Sequence, residues 1–269
     1  MIGCSTTRIV RSDLSGAHVW SGQVQIHGDI VLNEESQLRI LPGTEVLFYP
    51  AKDNDFFTEH PHFPGSELIV RGRIIAEGLA DKPIIFRYFN PSAPAGSWGG
   101  INIMESFDSS FEYTHFQQAD SAIHSQDSRL YIEQSIFENN KVAIRFHTSQ
   151  ILIENNLVRN NGTGIRFHFG QPVICKNDIV NNGKGVFITS HPRNYLIENN
   201  TIMANDRNVV LGEEVPEDVH LPRNFWGSVD QESISSSFFD GQLEPYLGNV
   251  LTKPLRSEPD PSSGVNWNQ

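Results

Sequence analysis

The sequence predicts an all-β solenoid: a single-stranded parallel β-helix with about 21–23 residues per coil and three short strands in each. Three observations predict it. The chain says one thing twice, "VAIRFHTSQILIENNLVRNNG" (142–162) and then "TGIRFHFGQPVICKNDIVNNGK" (163–184). That register extends upstream through 100–120 and 121–141 and downstream through 185–207 and 208–227, with spacings of 21, 21, 21, 22, 23 and 20 residues. Within each repeat apolar residues fall in three columns, with Asn recurring at two fixed places.

The first apolar column is Ile123, Ile144, Ile165, Val186 and Val209. The second reads Phe111, Ile132, Ile153, Cys175, Ile197 and Leu221, and the third Phe116, Phe137, Val158, Val180, Ile202 and Trp226. Each run is short, rich in β-branched residues and ended by Asn or Gly, which suits a strand and defeats a helix. One coil cannot bury its apolar side. Coils stacked about 4.8 Å apart pair every backbone and enclose a continuous core. Cys175 is expected inside that core as a small hydrophobe, and Trp226 is expected to plug its end.

The polar columns mark the corners. One runs Thr114, Ser135, Asn156, Asp178, Asn200 and Asn224, and another Asn140, Asn161, Asn182 and Asn205. Asn tolerates left-handed backbone, and its amide reaches the turns above and below, so both are expected to be structural ladders. Residues 1–19 read as a leader or linker, 20–255 as the solenoid with an inserted loop at 51–66, and 256–269 as a flexible tail.

The repeat resembles that of the right-handed parallel β-helix, pectin-lyase-like superfamily of carbohydrate-binding proteins and sugar hydrolases. The stretches "VQIHGDIVLNEESQLRILPGTEVLFYP", "LIVRGRIIAEGLADKPIIF" and "GSWGGINI" are similar to its first coils, and "NFWGS...ISSSFFDG...GNVLTKPL" to its closing coil. The likeness covers roughly residues 20 to 255 and implies a right-handed helix; one fold hosts many functions. Ile2-Gly3-Cys4 resembles the end of a bacterial lipoprotein signal. That implies lipidation at Cys4 and an exported envelope protein, periplasmic or at the outer membrane, touching a membrane only through its anchor.

A net charge of -12 argues against a nucleic-acid partner. No apolar run reaches the length of a spanning helix, about 18 residues or more. Two cysteines, Cys4 and Cys175, make no disulfide scaffold.

Alternation in "AIRFH" turns Ile144 and Phe146 inward and Arg145 and His147 outward, and the next coil repeats this with Arg166 and His168. With His124 these form a basic patch and the candidate ligand-binding set. Arginine forks suit carboxylate or sulfate. The first outward column is Asn102, His124, Arg145, Arg166, Phe187 and Val210, and the second Met104, Gln126, His147, His168, Thr189 and Gly212. Neither holds a carboxylate, so the calcium cluster and paired acids of the enzymes in this superfamily have no source. Two arginines side by side repel, and the repulsion is offset by an anionic ligand, by solvation or by acids of a later turn such as Glu213, Glu214, Glu217 or Asp218. No catalytic residue, cofactor or metal site is assigned, although His60 and His62 with Glu59 or Asp55 form a weaker metal-ligating candidate. The expected function is non-catalytic binding of an acidic glycan or another envelope component along the lateral face. The alternative is a lyase or hydrolase of acidic polysaccharide.

Overall fold

The computed structural model describes residues 7–50 and 63–267. Cys4, His60, His62 and most of the 51–66 loop therefore lie outside the described residues. The chain forms a parallel β-helix of three long sheets, of nine, nine and eight strands, each ordered along the rod axis. A coil passes through the first face (Val142–His147, for example), then the second (Gln150–Glu154), then the third (Leu157–Arg159).

The register follows the repeat. Ile123, Ile144, Ile165, Val186 and Val209 stand in line across the first face. Inward side chains stack on like neighbours: Phe86, Phe116 and Phe137 lie parallel at 4.8 and 4.7 Å, and Phe146 on Phe167 at 4.9 Å. These residues form one continuous buried core, from Val10 to Val250.

Two columns need correction by one residue. Ile153 pairs with Ile174, not Cys175, and Val158 pairs with Ile179, not Val180. Cys175 instead pairs with Glu154, outside the core and half-buried. The corner ladder correspondingly passes through Asn177, not Asp178. The Asn156 backbone N–H donates to Asn177 Oδ1, and that of Asn177 donates to Asn200 Oδ1. The misalignment came from placing an extra residue in the 163–184 coil. Thr163 pairs with Lys184 and Lys184 with Arg207, so the two surplus residues fall in the following coil, one at a bulge inside the strand Lys184–Ser190 and one between Ser190 and Leu196.

The second ladder runs through Asn140, Asn161, Asn182 and Asn205, each accepting a backbone N–H from the coil before it. A third, which the sequence did not disclose, is made of serines: the Ser106 N–H donates to Ser128 Oγ and the Ser128 N–H to Ser149 Oγ.

The ends differ from the sequence boundaries. Thr7–Val10 and Ala17–Trp20 already belong to the sheets, so residues 7–19 are not a free linker. At the far end Trp226 packs edge-on against Phe238, 5.1 Å away. Over its described residues the tail docks on the rod. It folds back along the corner between the second and third faces, where Gly264 N–H donates to Lys176 O and Trp267 Nε1 to Gln134 O.

Candidate functional site

On the first face every outward residue is set by the pleat, so the site is a consequence of register. Asn102, His124, Arg145, Arg166, Phe187 and Val210 stand in one line. The second line holds Gln126, His147 and His168, but a bulge then brings Ser190 opposite His168, and Ser190 stands opposite Glu214. Thr189 and Gly212 are displaced from the line the repeat assigned them. The bulge also overturns the reading that no carboxylate reaches these columns.

The result is a groove of 830 Å³ over the first face. His124, Arg145, His147, Arg166 and His168 all line it, with Phe63 and Phe187 as apolar walls and Glu213 and Glu214 at one end. The Arg145 guanidinium lies 5.9 Å from the Phe63 ring centroid, and Arg166 lies 5.1 Å from that of Phe187. Both arginines are held by aromatic faces. Among the described residues neither makes an ion pair with a carboxylate. Burial, and then the adjacent Arg166 charge, push the Arg145 pKa down. The two guanidinium charges thus stand side by side on adjacent coils, offset at Arg145 in part by Asp120.

The histidines are ordered by a repeated device. His147 and His168 stack at 5.0 Å with 13° between planes. His147 Nδ1 lies 2.9 Å from Thr148 Oγ1, which donates to Asp127. His168 Nδ1 lies 2.8 Å from Ser190 Oγ, which donates to Glu214 Oε2 at 2.5 Å. Since each hydroxyl spends its proton on a carboxylate, it accepts from the imidazole, which places the ring proton on Nδ1. In the neutral rings Nε2 is then the acceptor.

A buried polar chain closes the other end. Glu67 accepts from the Phe63 N–H and from Asn102 Nδ2, and Asn102 Oδ1 lies 3.1 Å from His124 Nδ1. Gly99 makes room for it, because a Cβ there would collide with the Glu67 side chain. Burial pushes the Glu67 pKa up to about 8, against the opposing hydrogen bond from Phe63. Sequence reasoning missed Glu67 because it directly follows the 51–66 loop and lies outside the aligned repeats, so no column gives its side chain a direction. Glu214 was hidden by the bulge.

The family model described as "Periplasmic copper-binding protein (NosD)" matches residues 91–253, more than half of the chain. The chain belongs to the NosD family. No curated protein and no solved structure matches it. NosD is a periplasmic family, which makes this chain an exported protein of the bacterial envelope. No helix among the described residues is long and apolar enough to cross a membrane. The matched span contains the arginine pair, the histidine pair and the Asn ladders.

Proposed function

We propose that this NosD-family protein binds an acidic glycan of the envelope in its first-face groove, without turning it over. The observation that carries the reading is the pair Arg145 and Arg166, one strand spacing apart on adjacent coils, with no ion-pair carboxylate from the described residues. Like charges directly opposite each other on a sheet destabilise it, and a ligand carboxylate offsets that cost with forked, charge-assisted hydrogen bonds. The Nε2 atoms of His147 and His168 accept from sugar hydroxyls, and Phe63 and Phe187 offer apolar faces to the ring.

The family description names copper, and the described residues do not suit that ion. No three of their His, Cys, Asp or Glu side chains gather as a metal-ligand group. The stacked imidazoles run parallel, so their lone pairs do not converge on one point, and the two guanidinium groups beside them repel a cation.

Titration of the protein with galacturonate and mannuronate trimers tests the proposal. Binding should weaken about tenfold or more in Arg145→Ala plus Arg166→Ala, the loss of one or more charge-assisted contacts. If neither trimer binds, the reading fails. New absorbance from unsaturated products, or new reducing ends, would replace binding with lyase or hydrolase activity.

A further inference from the structure

Beyond the histidine rings lies a second hollow of 340 Å³, lined by Thr148, Phe169, Gly170, Gln171 and Arg193. Phe169 forms the wall between the two. Its ring meets His168 edge-on at 4.5 Å and His147 at 6.4 Å, and it remains 36% exposed.

Its place in the fold makes that exposure informative. Phe169 occupies the corner after the first-face strand, where the equivalent residues are Glu105, Asp127 and Thr148, each in the left-handed region. Phe169 takes the same backbone at φ 57°, a conformation costly for a bulky aromatic, and the corner leaves all four side chains exposed. The next residue, Gly170, is also left-handed at φ 92°, and a Cβ there would press on Ser149 O and the Phe146 ring. The Phe169 ring lies outside the core, to which Phe167 is the last residue of this strand to contribute. A ring that served packing would lie with Phe146 and Phe167; this one faces the hollow.

We infer that Phe169 is a stacking shelf for a second sugar ring of the acidic glycan, with Arg193 and Gln171 contacting that ring's acid or hydroxyl groups. This rests on the reading of the arginine pair as the first sugar's carboxylate site. The order along the strand is guanidinium pair, imidazole pair, aromatic shelf, so the glycan chain crosses the coil at the corner toward the second face. The apolar C–H face of a pyranose suits an exposed ring bordered by hydrogen-bonding groups. The groove thereby selects oligomers over single uronic acids.

Calorimetric titration with galacturonate and mannuronate trimers and with the two monomers tests this on the full chain. Phe169→Asn removes the ring and places a residue that favours the corner's backbone, so the thermal midpoint should hold or rise. Trimer Kd should increase about fivefold, the worth of one ring contact, while monomer binding stays unchanged. Phe169→Tyr should retain trimer binding. If Phe169→Asn binds trimers as tightly as the parent while Arg145→Ala plus Arg166→Ala does not, the shelf is wrong and the groove stands. If the parent binds no uronate, groove and shelf fall together.

Discussion

At Glu67, burial and hydrogen bonding pull in opposite directions. Two donors, the Phe63 N–H and the Asn102 amide, favour the ionised carboxyl, while burial, with help from Asp29 and Asp120, favours the neutral one. Burial wins, and the group titrates at about 8. An unfolded glutamate ionises near about 4.3. The folded state therefore holds a proton that the unfolded state has lost, and this contribution to stability is full below that value and is lost as pH rises toward 8. Glu138 has the opposite sign: its hydrogen bond with His115, then the His115 charge and Arg159, hold it down at about 2, so its contribution is full above the unfolded value and is lost as pH falls from there toward 2. Between pH 5 and 8 the thermal midpoint should fall with rising pH. Glu67→Gln should flatten that fall, and an equally steep slope in the variant would refute the assignment.

At the scale of the element, the ladders tie coil to coil at their corners. Asn177 Nδ2 donates to Ile153 O, Cys175 O and Asn200 Oδ1, while its own Oδ1 accepts from the Asn156 backbone and amide. The residue is fully buried, so truncating it strands partners on three coils. Asn177→Ala should cost about 3 kcal/mol in denaturant unfolding, the upper range for a buried polar group left unpaired. Asp178→Ala should cost under about 1 kcal/mol, because Asp178 points outward to the tail, where its carboxylate accepts from Ser263 Oγ at 2.7 Å. Equal costs at the two positions would mean that the ladder does not run through Asn177.

Across the whole molecule, stability in a stack is shared between neighbours, and the returning tail is an exception because it spans several coils. From Arg256, whose N–H donates to Asn224 O, it passes Lys176 and Gln134 and ends with Trp267 edge-on to His115. Its Gly264 N–H caps the Lys176 carbonyl and its Trp267 indole N–H caps that of Gln134, left-handed corner residues facing away from the groove. Removing residues 257–269 should leave the β circular dichroism spectrum intact and lower the thermal midpoint by a few degrees, as about 1 kcal/mol would in a domain of this size. A truncated chain as stable as the parent would show that the docking contributes nothing.

The sequence by itself determined the solenoid, its period and the first-face lines, because like side chains stacked in register leave a repeat that period-counting recovers. It placed Arg145 over Arg166 and His147 over His168 for the same reason. It could not place the surplus residues of the 184–206 coil, since a bulge leaves no mark in composition, and that uncertainty moved Cys175, Asp178 and Val180 one step off and concealed Glu214. Only the folded chain decided which non-repeating groups come near the groove: Phe63 and Glu67 from an early coil, and the outward ring of Phe169. It also decided that the tail docks, because its contacts join residues up to 133 positions apart and follow no period.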